Sequence, residues 1–431
     1  MGWVTPLGHD VPAVWARLME GQSGIGPITH FDASTWSTNF ASEVRDFRLG
    51  DFLINTADHE LAGRSTKFAL AAAAQAWKQA GLKGGFKPRR MGIYLGAGEG
   101  SLDYGPFFGT HLKSWNAEKR SADGVEFARG AYATMDRRRE LEQEPNACLT
   151  HIARAFGCRG PSSNCMTACA ASTQAIGEAF EIIRRGDADA MLAGGTHSMI
   201  HPLGITGFIR LTAMSARRDD PTHAARPFDR TRDGFVMGEG AGMLILETLE
   251  HANARGAKPL AEVAGFGSTA DAFRITDIQP QGKGAQAAMK QALDEAGVDP
   301  RATDERDRPL VHYISAHGTG TKENDKIETA AVKGVFGALA PRVPFSSVKS
   351  MFGHLIQAAG AVELMTCVEA IRTGFLPPTM NLNTPDPECD LDYIPNKPRD
   401  ERAKGGVDVC LSNSFGFGGQ NDTLVVRKFR P

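Results

Sequence analysis

NCMTACAAS, residues Asn164–Ser172, sets two cysteines four residues apart among alanine, threonine and serine. Four readings compete for it: a metal site, a disulfide, a packed pair of small apolar residues, or a nucleophile. Structural zinc calls for four Cys or His ligands at spacings such as C-x2-C. No second pair lies near Cys165 and Cys169 in the sequence, so no metal is expected. A disulfide across one helical turn is disfavoured by geometry and by compartment. Burial as a small hydrophobe is the ordinary fate of a free cysteine. The residues after Cys169 favour the fourth reading. From Ala170 to Arg185 the apolar residues Ala175, Ile176, Ala179, Phe180, Ile182 and Ile183 recur at helical spacing, and an extended GPSSN precedes the turn. Cys169 then stands on a strand-to-helix turn at the helix N-terminus. Unpaired N–H groups and the helix dipole favour a thiolate there and can hold an oxyanion. Cys165, a turn earlier, is expected to be packed.

The bulk numbers bound what such a site can serve. A chain of 431 residues exceeds one ordinary hydrophobic core, so two domains or two fused halves are expected. Lysine plus arginine (48) nearly balances aspartate plus glutamate (50), which gives no global field for nucleic acid but leaves room for a local basic patch. The 48 glycines favour tight turns over long helical bundles. Seven cysteines form no compact framework, as in a reducing compartment. No apolar run approaches the roughly 20 residues that span a bilayer, and the first residues do not read as a signal peptide. A soluble, cytoplasmic protein is expected, with no membrane contact.

Helical and strand patterns alternate. FALAAAAQAWKQAG (Phe68–Gly81) reads as a helix and MGIYLGAGEG (Met91–Gly100) as a buried strand entering a glycine loop; AQAAMKQALDEAGVDP (Ala285–Pro300) and VHYISAHGTG (Val311–Gly320) repeat that pair. SSNCMTACAASTQAIGEAFEIIRRG (Ser162–Gly186) is echoed by SSVKSMFGHLIQAAGAVELMTCVEAIRTG (Ser346–Gly374). Two echoes in the same order point to an internal duplication of an α/β unit. The halves join near GMLILETLEHANARGAKPLAEVAGFG (Gly242–Gly267), read as strand, polar helix and strand. The expected division is 1–248 and 249–431. Between Ser101 and Asn146 the pattern is weakest, and DRRRELEQEP (Asp136–Pro145) reads as a solvated helix face.

Two histidine motifs in the second half sharpen the reading of Cys169. AHGTGT (Ala316–Thr321) puts His317 in a loop directly after an apolar strand, and KSMFGH (Lys349–His354) puts His354 before a small-residue helix. Each ends a strand–loop–helix unit like the cysteine's own, which suggests convergence on one pocket. With TACAAS around Cys169, RPFDRTRDGFVMGEGAG (Arg226–Gly242), Asn324 and Asp325 after AHGTGT, and LSNSFGFGGQN (Leu411–Asn421), the chain resembles the elongating, type II β-ketoacyl-[acyl-carrier-protein] synthases of the thiolase superfamily over nearly its whole length.

That resemblance implies a duplicated thiolase-like α/β fold, layered αβαβα with two mixed sheets. It implies decarboxylative condensation of an acyl thioester with malonyl-acyl carrier protein, in fatty acid or polyketide-like synthesis. Cys169 resembles the nucleophile, and His317 and His354 the pair that stabilises the enolate. Lys349 and Glu363 resemble their charged neighbours. The backbone N–H groups of Cys169 and Phe417 resemble the oxyanion hole, and the Phe417 ring the acyl gate. Thr319 and Thr321 resemble the hydroxyls that bind phosphopantetheine. Arg64, Lys67, Arg217 and Arg218 fall where the family docks acyl carrier protein. No separate cofactor is implied, since the substrates ride on the carrier's phosphopantetheine arm. A two-fold homodimer is implied, paired through GPSSNCM, with a heterodimer also open. Three departures stand out: the family's first strand before MGWVTPLG is expected to be missing, the Ser101–Asn146 region matches poorly, and GGQN replaces GGTN. The rival readings are a thiolase or initiating synthase, in which the KSMFGH histidine would be replaced, and a non-catalytic chain-length-factor-like partner, in which the nucleophile would be lost.

Overall fold

The computed structural model describes residues 1–82, 86–98, 103–275 and 277–430. Glu99 and Gly100, at the end of the expected glycine loop, fall with Ser101 and Leu102 outside the described residues.

Two five-stranded sheets carry the chain. The first runs in the order Gly2–Val4, Gly240–Glu247, Ala190–His197, Met91–Gly96, Ser162–Cys165; the second runs Glu262–Ala270, Gln420–Arg427, Val409–Gly416, Tyr313–Ser315, Phe345–Ser346. Each mixes parallel and antiparallel pairs, as expected for a duplicated α/β unit. The alternation foreseen around the junction is present as strand 240–247, helix Leu249–Ala254 and strand 262–270.

Helices Ala171–Arg184 and Ala359–Thr373 lie centrally and pack on each other. Almost every residue of the second is buried, so its apolar positions run all round it instead of along one face. The two cross closely: a Cβ on Gly360 would stand 1.8 Å from Thr173 Oγ1. Outer helices cover the far faces. Arg64–Ala80 packs Phe68–Ala73 on the first sheet and ends at Gly81 in the left-handed region, where only glycine is unstrained. Lys283–Ala296 does the same for the second sheet. Helices of an expected solvated type fill part of the weakly matching region, Arg137–Leu141 being capped by Asp136 and free of buried residues. No helix among the described residues is long and apolar enough to cross a membrane.

Within MGWVTPLG, read from sequence as a turn, Gly2–Val4 is a short, fully buried strand, antiparallel to Ala241–Met243. Three residues are too few to show a period of two, so the sequence pattern could not announce it.

Candidate active site

The duplication recurs at the turn that carries Cys169. Ala168–Ala170 forms a 3-10 turn before helix 171–184, and Ile356–Ala358 forms another before helix 359–373. Both turns open on a residue with positive φ, Ala168 at 48° and Ile356 at 41°. Such a backbone is costly for a residue with a Cβ, and it tips the following side chain off the helix axis. That side chain is Cys169 in one turn and Gln357 in the other.

Cys169 is buried, 5 % exposed, at the start of its helix. His354 Nε2 lies 3.0 Å from its Sγ. The Ile356 backbone N–H donates to His354 Nδ1 at 3.2 Å, which assigns the neutral ring its proton on Nε2, toward the sulfur. His317 stands edge-on to His354 with ring centroids 5.5 Å apart. One donor atom from each of Cys169, His317 and His354 lies within 4.8 Å of the others, the one such group of Cys, His and acidic side chains among the described residues. By geometry the three could ligate a soft metal. The cation beside them argues against that use: Lys349 Nζ donates to the His317 carbonyl at 2.6 Å and pairs with Glu363.

Electrostatics keep both rings neutral. Burial first, then the charge on Lys349, holds the His317 imidazole well below its usual range. His354 is lowered by burial, Lys349, His317 and His197 in that order. Burial raises the Glu363 carboxyl, against the opposing pull of Lys349. Burial pushes the Cys165 thiol up to about 12, and it donates to Ala171 O.

The Gly416–Gln420 loop closes the site. A Cβ on Gly416 would meet Thr167 O at 2.9 Å and Cys169 N at 3.3 Å, so the chain entering Phe417 rests directly on the turn that carries Cys169. Phe417 is half-buried, followed by Gly418 and Gly419 in the left-handed region. Thr319 and Thr321 share a hydrogen bond of 2.9 Å between their hydroxyls, beside the His317 loop. The four basic residues are elsewhere. Arg64 bonds the Glu239 carboxylate through Nε and Nη2 at 2.8–3.0 Å, and also donates to Val44 O. Lys67 donates to Glu60 O, Arg217 to Thr231 O and Arg218 to Ser34 O.

Three further groups serve this site without having been singled out by sequence. Glu328 is fully buried and accepts from the N–H groups of His317 (2.9 Å) and Gly318 (2.8 Å), fixing the histidine loop. Burial pushes its carboxyl up to about 7. Asp325 and Glu328 stand three apart on one face of helix Lys322–Phe336, and both are buried. His197, at the end of strand 190–197, is buried near enough to His354 to act on it. Asp271 receives Asn421 Nδ2 (2.9 Å) and the Gln279 N–H (2.9 Å), and its own N–H bonds Gly419 O (2.8 Å), pinning the closing loop.

Comparison with known proteins agrees with this geometry. The N-terminal β-ketoacyl synthase domain matches residues 1–252 and the C-terminal domain residues 260–383. The 3-oxoacyl-[acyl-carrier-protein] synthase 2 of Synechocystis sp. is 42% identical over 431 residues, 100% of this chain and 97% of the relative. The solved ishigamide ketosynthase/chain length factor superposes with a TM-score of 0.84 at 34% identity, covering 100% of this chain and 98% of that one. A type II PKS acyl-carrier protein in complex with its ketosynthase bound to the hexaketide gives 0.83 at 32% identity, over 99% and 98%. The chain belongs to the β-ketoacyl synthase family, and it is a condensing acyltransferase of the 3-oxoacyl-[acyl-carrier-protein] synthase kind.

Proposed function

We propose that Cys169, His317 and His354 carry out a decarboxylative Claisen condensation in fatty acid synthesis, on substrates presented by acyl carrier protein. The convergence of the three donor atoms within 4.8 Å, in a buried site at a helix start, carries the assignment. In the first half-reaction the Cys169 sulfur attacks the acyl thioester carbon, and the pantetheine thiol leaves with the proton. The backbone N–H groups of Cys169 and Phe417 receive the tetrahedral oxyanion. In the second, malonyl thioester enters. Its C–C bond to the carboxylate breaks, CO2 leaves, and the electron pair moves onto the thioester oxygen. Neutral N–H groups of His354 and His317 stabilise that enolate, as donors aimed at charge that appears only in the transition state. The enolate carbon then attacks the acyl-cysteine, and Cys169 departs as thiolate. No cofactor enters these steps.

Lys349 and Glu363 act through the histidines: the Lys349 charge disfavours imidazolium, and Glu363 balances it in the core. Phe417 gates the acyl chain on its glycine hinges, and Thr319 and Thr321 hold the pantetheine arm. The division of labour follows the halves, 1–248 supplying the nucleophile and 249–431 the histidines and the gate. Carrier docking falls to Lys67, Arg217, Arg218 and the exposed edge of Arg64. The carrier complex of a structural relative supports that partner. The intact cysteine and both histidines favour catalysis over the chain-length-factor reading. The protein works in the cytoplasm as a two-fold homodimer. Strand Ser162–Cys165 pairs on one side only, with Met91–Gly96, among the described residues. Exposed Leu112, Trp115, Tyr132 and Met166 give an apolar surface to cover.

Incubation with carrier proteins loaded with different acyl chains, read by intact mass, tests this reading. A thioester adduct on Cys169, released as 3-oxoacyl product on adding malonyl carrier, is expected. No adduct with any chain would overturn it.

A further inference from the structure

Three segments far apart in sequence meet at a pair of histidines. His59 ends the 3-10 turn Ala57–His59, His151 lies on helix Ala147–Phe156, and Glu142 closes helix Arg137–Leu141. The two rings face each other through Nδ1 atoms 2.9 Å apart, with centroids 5.1 Å apart and planes at 62°. On the other side of its ring, His151 Nε2 lies 2.9 Å from Glu142 Oε1. His59 is 3 % exposed, so water competes little for the contact between the rings.

Proton counting limits what this chain of contacts tolerates. A ring nitrogen needs a hydrogen to donate and a lone pair to accept. The Nδ1 contact therefore holds one hydrogen between two nitrogens. His151 Nε2 carries a second toward Glu142, and His59 Nε2 has room for a third. A fourth makes both rings imidazolium, sets two N–H groups head to head and breaks the contact. The surrounding charges decide where that happens. Asp58 and Arg154 pair at 2.8 Å across the same two elements, and Lys67 stands near Glu142, Glu60 and Arg139. Burial first, then His151, holds the His59 imidazole below its usual range; Arg154 adds to this, while Asp58 and Glu142 oppose it. A ring lowered in the closed state and ordinary in the open one favours opening once pH falls below about 6.5.

We propose that His59, His151 and Glu142 form an acid-released clamp that holds the 57–60 turn, and through it Lys67, against helix 147–156. Lys67 is tied to the turn directly: its Nζ donates to Glu60 O at 3.0 Å, and Glu60 follows His59 in the chain. The effect of release on the acyl carrier protein rests on the docking role given to Lys67 above; the clamp itself does not.

Native-state amide exchange on the full chain tests the clamp. It is read at Ala62, a buried residue whose N–H donates to His59 O at 3.2 Å, and is corrected for the intrinsic pH dependence of exchange. Between pH 7.5 and 5.0, protection at Ala62 should fall by up to about tenfold per pH unit below about 6.5, the limit for one proton. Strand Met91–Gly96 should keep its protection over that range. His59→Asn and His151→Asn each set an amide, which both donates and accepts, against the remaining histidine, so the fall should vanish in both. No fall in the wild type, a fall in a folded Asn variant that matches the wild type, or an equal fall in strand 91–96 would overturn the proposal. The ratio of KM for carrier-bound substrate to KM for a short pantetheine thioester should rise in acid for the wild type and stay level in the variants. Release at Ala62 with a level ratio would uphold the clamp and withdraw Lys67 from docking.

Discussion

Replacing Asp422 by asparagine should stabilise the protein, and more so as pH rises. Asp422 lies on strand 420–427 and is 1 % exposed, with Oδ1 unpartnered. Burial pushes its carboxyl from 3.8 to about 7, with a hydrogen bond from Ser268 opposing and the charge of Glu178 adding. Below about pH 4 both folded and unfolded chains hold this proton, and the group costs nothing. Between there and pH 7 the unfolded chain releases it while the native chain keeps it, so stability falls as pH rises through the folded value. The gap of about 3 units, at 1.36 kcal/mol each, sets a ceiling of about 4 kcal/mol reached near pH 8. Glu328 titrates in the same direction, from 4.5 to about 7, so the wild-type slope alone cannot identify Asp422. The difference between Asp422→Asn and wild type can, since Glu328 cancels. Urea midpoints at pH 5, 6, 7 and 8, at one protein concentration, should show a gap that widens with pH. A gap that stays flat from pH 5 to 8, or a variant less stable at pH 8, would refute the reasoning.

Cys169→Ala should abolish acyl loading, and limiting iodoacetamide should label Cys169 before Cys165, whose thiol is held near 12; loading that survives in the variant removes Cys169 from the mechanism. His317→Ala and His354→Ala should each slow malonyl decarboxylation by about 10²–10³, the usual cost of one oxyanion donor, while acyl transfer to Cys169 suffers less. Lys349→Met should move the acid limb of the decarboxylation profile to higher pH, because removing its charge raises both imidazoles; an unmoved limb would exclude that role. Arg217→Glu should raise KM for carrier-bound substrate and leave a short pantetheine thioester unaffected, as checked by steady-state assays on both.

The sequence made the place of Cys169 legible because a turn followed by a helix leaves two overlapping signatures, small residues and then apolar spacing. The histidine positions were legible from their motifs, His317 in a loop after strand 313–315 and His354 ahead of the small-residue helix 359–373. Pairing across long separations was not. Arg64 reads as a free surface charge until Glu239, 175 residues away, is seen to hold it. Glu328 reads as one acid among several on a charged helix, because the sequence does not say which face turns inward. His197 ends a strand with no motif around it. The short strand at Gly2–Val4 offered no period at all.

The two turns at Cys169 and Gln357 are one mould used twice, and the mould is made by backbone. Ala168 and Ile356 bear the strained φ, and the helices behind them are locked where Gly360 meets Thr173. Gln357, 2 % exposed, shows that the second copy accommodates an uncharged amide at its tip without loss of architecture. The shape of the turn is therefore set by backbone and not by the side chain at its tip, and a substitution at position 169 is expected to leave that turn in place.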